Sequence, residues 1–180
     1  MSVFEDEGAI SIITILLLLL AQLFVLQEAA STDTKRHRVD WLLLAFVLQI
    51  YLMREADFHR VFTDINITQG KFYSDPSSPL LAKIIAGSFL VSFLFSFVYL
   101  GAKYFKQLLS SFLQMKPWAV SSALWFSLLF LSQVLDKTQL NFSEDLRLKN
   151  IEEMLEFSAA VYVLAAVFLW RNNKPTMTSE

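Results

Sequence analysis

Five apolar runs separated by polar links set the pattern of this chain. They cover Ala9–Gln27, Val39–His59, Leu80–Leu100, Trp118–Leu135 and Ile151–Trp170. A helix needs ~20 residues to cross the ~30 Å hydrocarbon core of a bilayer, and each run is close to that length. The reading is an all-α fold, a polytopic membrane helical bundle of about five transmembrane helices. It forms a single integral membrane domain over residues 1–180, with residues 171–180 as a flexible cytoplasmic tail. The longest link, Arg60–Pro79, carries Gly70, Pro76 and Pro79 among Ser and Asp, which is loop composition. No internal repeat is visible, so an inverted-repeat transporter is not suggested.

Composition agrees with lipid as the solvent. The chain is 55% hydrophobic and only 18% charged, with a mean hydropathy of +0.48. A soluble chain would sit nearer ~45–50% apolar with about a quarter of its residues charged. The first run is not read as a secretory signal. Glu5, Asp6 and Glu7 precede it where a signal needs positive charge, and no small-residue cleavage site follows. The chain has no Cys, so disulfides and thiolate metal sites are excluded. A net charge of −2 carries no sign of nucleic-acid binding.

Charge placement suggests an orientation. With the N-terminus outside, the inner links hold Lys35, Arg36, Arg38, Lys103, Lys106, Lys116, Arg171 and Lys174, against seven basic residues outside. The tight Lys35–Arg38 cluster and the absence of Lys and Arg before the first run favour this N-out, C-in arrangement. Thirteen of the 17 acids then lie outside, leaving that face net −6 and the inner face +4.

Small residues recur every fourth position at Ser88, Ser92 and Ser96, and again at Ala119, Ala123 and Ser127. That spacing lets helices approach closely in lipid, and helix packing is favoured over a polar permeation stripe.

The second and fifth runs hold the candidate chemistry. Their purely apolar parts, Trp41–Met53 and Phe157–Trp170, are 13 and 14 residues long. Each covers ~20 Å at 1.5 Å per residue, so each must extend outward to finish a span. The extension carries Arg54, Glu55, Asp57 and His59 of one helix, and Glu152, Glu153 and Glu156 of the other, into the outer leaflet. Taking Trp41, Trp118 and Trp170 as inner marks, Glu55 and Glu156 each lie 14 residues away; His59, Asp136 and Glu152 each lie 18 away. Two tiers of ionisable groups could therefore converge.

Three readings follow from that placement. A structural polar network is the first, in which Arg54 and Asp57 pair with neighbouring charges. A divalent-metal site with Glu55, His59, Asp136, Glu152 and Glu156 as ligands is the second. A proton relay is the third, because crowded carboxylates raise one another's pKa. The spacing Glu-x-x-x-His departs from the Glu-x-x-His of di-iron bundles.

Arg54-Glu55-Ala56-Asp57-Phe58-His59, Phe62-Thr63, Lys71-Phe72-Tyr73, Pro79 and Glu152-Glu153-Met154-Leu155-Glu156 resemble segments of a group of small, uncharacterised bacterial inner-membrane proteins. The resemblance covers about a third of the chain. It implies a bacterial inner membrane with the acidic side toward the periplasm, and it implies no activity.

The remaining signals are slight. His37 sits in a basic link as a solvated residue. Asn66-Ile67-Thr68 and Asn141-Phe142-Ser143 match the glycosylation pattern, which a bacterial chain leaves unmodified. No phosphate-binding glycine loop or Gly-x-Ser-x-Gly occurs among the four glycines. Two classes of function stay open. One is a structural or partner-binding subunit, with the lipid bilayer and a membrane protein or a second copy as partners. The other is a divalent-metal site protein acting on lipid headgroups, or a proton or cation conduit.

Overall fold

The computed structural model describes residues 8–56, 70–74, 76, 79–139 and 146–172. Among them are six helices and no strand: α1 (Ala9–Ser31), α2 (Lys35–Glu55), α3 (Gly70–Ser74), α4 (Leu80–Leu113), α5 (Pro117–Gln139) and α6 (Leu146–Asn172). The all-α class expected from the apolar runs is what the described residues adopt.

By length and composition, α1, α4, α5 over Pro117–Leu135 and α6 over Asn150–Asn172 can cross a membrane. This is the make-up of a multi-pass membrane protein. α2 differs from the five-span expectation: it has 21 residues, but every 18-residue window in it holds at least three charges. Lys35, Arg36, Arg38 and Asp40 crowd one end, and Arg54 and Glu55 the other.

Several boundaries shift from those expected. α4 runs 13 residues past Leu100, because nothing between Gly101 and Leu113 breaks a helix. At 34 residues it is ~51 Å long, well beyond the hydrocarbon thickness. Its stop is a backbone device. Met115 takes a left-handed φ of 54°, its N–H donates to the Phe112 carbonyl (2.8 Å), and the Lys116 N–H donates to the Ser111 carbonyl (3.0 Å). This pair of bonds is a Schellman ending, in which a residue with positive φ turns the chain out of the helix. Pro117 then opens α5, where its missing N–H costs nothing.

The chain divides into two compact units. Val25–Phe105 forms one; Met1–Phe24 with Lys106–Glu180 forms the other. In the second unit α5 and α6 pack closely together. The buried face of α6 is Ala159, Ala160, Val163, Ala166 and Val167, spaced as one stripe of a 3.6-residue helix. On α5 the buried residues are Ala119, Ser121, Trp125 and Ser132. Small side chains at this contact bring the backbones together, as packing in lipid requires. At one end of this unit Phe24 meets the Phe168 ring at 6.4 Å, and the Arg171 guanidinium lies 5.8 Å from the Phe24 ring centre.

The expected small-residue stripes are only partly right. Ser96 and Ala119 are buried, but Ser88, Ser92 and Ser127 are exposed. Fourfold spacing identifies a helix face without saying whether a neighbour covers it. α4 is the most open of the apolar helices, with Leu81, Val91, Phe95 and Val98 each about two-thirds exposed. A surface like that is stable in lipid and not in water.

Within the first unit, α1 and α2 are joined by Thr32–Thr34. Thr32 Oγ1 donates to the Glu28 carbonyl at 2.7 Å, and Arg38 Nη2 donates to the Thr32 carbonyl at 2.9 Å. These bonds satisfy carbonyls left open where α1 ends. The short α3 sets Phe72, 1% exposed, edge-on against Tyr73. The Tyr73 ring lies against Gly87 of α4, where an added Cβ would meet Tyr73 Cε1 at 3.8 Å.

Candidate functional site

The most developed polar cluster in the described residues joins α2 to α4 inside the Val25–Phe105 unit. Asp40 is only 5% exposed. Lys103 Nζ donates to Asp40 Oδ1 at 2.7 Å and also to Oδ2, while the Tyr104 hydroxyl donates to Oδ2 at 2.6 Å. Lys103 also donates to the Tyr99 hydroxyl at 3.2 Å and lies 5.4 and 5.3 Å from the ring centres of Tyr99 and Tyr104. His37 Nδ1 stands 3.7 Å from Asp40 Oδ2, one helical turn away on α2.

Local sequence accounts for this arrangement. Tyr99 and Lys103 are four residues apart on one face of α4, so the hydroxyl and the ammonium are neighbours before any tertiary contact forms. Lys103 and Tyr104 then reach the same carboxylate from adjacent positions. The first turn of α2 carries Lys35, Arg36 and Arg38, cations placed against the positive end of the helix dipole. Thr34, at the N-cap, makes no side-chain capping bond. Asp40 is the nearest anion on α2 to that charge. A carboxylate this buried is tolerable only when its oxygens are bonded, and here both are.

Phe46 of α2 stacks on Phe89 of α4 at 6.3 Å. With Asp40 against Lys103, this contact makes the two helices antiparallel. The Lys35–Arg38 cluster and Lys103 therefore share one end of the unit.

A second embedded acid lies between α5 and α6. Ser132, fully buried, donates to Glu156 Oε1 at 2.8 Å. Ser132 is 14 residues beyond Trp118 and Glu156 is 14 before Trp170. The two thus meet at a common depth, ~21 Å along antiparallel helices. The tryptophan count thus agrees with the Ser132–Glu156 bond. The neutral partner, Ser132, was not anticipated.

The remaining expected site residues divide as follows. α2 ends at Glu55, with the Ala56 N–H bonded to the Leu52 carbonyl at 3.0 Å. His59 and Asp57 lie outside the described residues, so the helical spacing drawn between Glu55 and His59 is not carried by α2 as described. Asp136 belongs to α5, but its side chain also lies outside the described set. Glu55 and Arg54 fall in one unit, and Glu152 and Glu156 in the other. All four of these side chains have interaction partners. Among the described residues no three His, Asp or Glu side chains gather closely enough to hold a metal ion.

Sequence reasoning missed the Asp40 cluster, having counted Lys103 only toward orientation and Asp40 only in the net charge of the inner face. One signal could have found it. Asp40 is a lone acid opening an apolar run, and such a residue needs a cation from another helix. No known protein family, curated protein or solved structure matches this chain.

Proposed function

We propose that this chain is a small multi-pass subunit of a bacterial inner membrane that acts by binding a membrane partner, its embedded charges serving to hold its own helices. The observation that carries this reading is the Asp40 cluster. Both carboxylate oxygens accept bonds from α4, and Lys103 is engaged by the acid and by two aromatic rings. Groups so fully paired clamp helices together and leave little freedom for chemistry. The likeness of Arg54–His59 and Glu152–Glu156 to small bacterial inner-membrane proteins supports the setting. An N-terminus in the periplasm and a C-terminus in the cytoplasm requires α2 to cross as a fifth span despite its charged ends, and is supported by the basic end that α2 and α4 share, since Lys- and Arg-rich ends stay in the cytoplasm.

Two measurements test the proposal. Reporters fused after Lys174 and within Arg60–Pro79 are expected on opposite sides, cytoplasmic and periplasmic respectively. Extracted from its native membrane in mild detergent, the chain is expected to migrate in an assembly well above its own 20.7 kDa. Migration as one chain with bound detergent would overturn the partner-binding reading.

A further inference from the structure

We infer that the basic end of the Val25–Phe105 unit holds an anionic phospholipid, its phosphate against Arg36 and an acyl chain along α4. The reading rests on an open groove of about 470 Å³ lined by Arg36, Phe95, Val98, Tyr99, Ala102 and Lys103. Its two chemistries are ordered along the helix. Lys103 lies at one end, and Phe95, eight residues back, is ~12 Å nearer the middle of α4. A charged rim above an apolar wall matches a phospholipid, whose phosphate and hydrocarbon follow in the same order.

Charge selects the class of lipid. Lys35, Arg36, Arg38 and Lys103 stand toward this end with three acids, Glu28, Asp33 and Asp40, and Arg36 and Lys103 line the groove itself. Asp40 already holds Lys103, while no carboxylate among the described residues pairs with the exposed Arg36. Arg36 thus offers a planar fork of donors that suits a phosphate bidentately. Lys103, whose three donors already serve Asp40 and Tyr99, lines the rim and leaves the phosphate to Arg36. The wall residues Phe95 and Val98 are about two-thirds exposed, which leaves them open to an acyl chain. A soluble phosphate would use the rim and leave this wall bare. Basic pockets beside membrane helices on the cytoplasmic side hold anionic headgroups by the same combination.

Native mass spectrometry of the full chain in detergent, titrated with phosphatidylglycerol, phosphatidylcholine or soluble glycerol phosphate, tests the inference. Phosphatidylglycerol is expected to bind at least about fivefold tighter than phosphatidylcholine, with glycerol phosphate binding far more weakly than either. Arg36→Gln should lose about fivefold in phosphatidylglycerol affinity, Arg36→Lys should retain most of it, and Lys116→Gln, outside the groove, should match the wild type. Arg36 is exposed on the first turn of α2, so these variants are expected to keep wild-type helicity by circular dichroism. Equal affinity for the two lipids would overturn the inference. So would Arg36→Gln binding phosphatidylglycerol like the wild type, or glycerol phosphate binding as tightly as the lipid. None of these results depends on whether a protein partner exists.

Discussion

Asp40 and Glu156 are both carboxylates on helices of a membrane protein, yet the bonds described for them differ in kind. Asp40 stands near the basic end of α2 and is met by an ammonium and a phenol. Glu156 stands partway along α6, and the bond described for it comes from a neutral hydroxyl of α5. An ammonium beside a carboxylate adds charge attraction to its hydrogen bonds, and removing either partner strands the other. A hydroxyl bond in a membrane contributes ~0.6 kcal/mol and leaves little behind when lost. The contrast shows that burying an acid does not by itself make a strong tertiary contact. The charge of its partner sets the strength, so the α2–α4 pairing is expected to be far more sensitive to mutation than the α5–α6 pairing, which rests on small-residue packing.

The largest effect should follow from breaking the ion pair. Asp40→Leu is expected to cost the most, ~3 kcal/mol, because the partly exposed Lys103 would lose its counter-charge and Tyr104 its acceptor. The double variant Asp40→Leu/Lys103→Met should recover most of that loss. Thermal unfolding in detergent measures both, and a double variant no better than the single would show that the pair does more than clamp. Tyr104→Phe comes next. It removes one donor to a charged acceptor, and a loss of ~1.5–3 kcal/mol is expected in the same assay.

Glu156→Gln should cost about 1 kcal/mol or less, because the amide oxygen can still accept from Ser132. This variant also bears on the metal reading of Glu55, His59, Asp136, Glu152 and Glu156. If those residues hold a divalent ion, elemental analysis should find metal in the wild type and a loss of it in Glu156→Gln and Glu55→Gln. Metal-free wild-type protein would remove that reading. The smallest effect should be that of Ser132→Ala, ~0.6 kcal/mol. A loss as large as that of Asp40→Leu would erase the contrast between the two acids.

The amino-acid sequence by itself determined the long helices and their solvent, but not α3, which lies within the link read as a loop. Long apolar runs bounded by charges allow only helices in lipid, where each backbone polar group must be bonded within its own segment. Residue spacing also matches Ser132 with Glu156, each 14 residues from a tryptophan, since rise per residue is a local property of a helix. The Schellman ending at Met115 was not legible, because only backbone dihedrals distinguish a Met that continues a helix from one that ends it. Nor was the covering of each face, and the exposed Ser88, Ser92 and Ser127 show why: periodicity repeats whether or not a neighbour is present.

Tertiary structure alone decided which charges meet. Asp40 and Lys103 are separated by 63 positions, and their contact depends on the antiparallel pairing of α2 with α4. Before that pairing is known, Lys103 is one of several basic residues placed on the same side. After it, the desolvation cost of a buried carboxylate leaves Lys103 and Tyr104 as the groups that make Asp40 tolerable, and the same contact places Lys103 beside Arg36 at the rim of the groove.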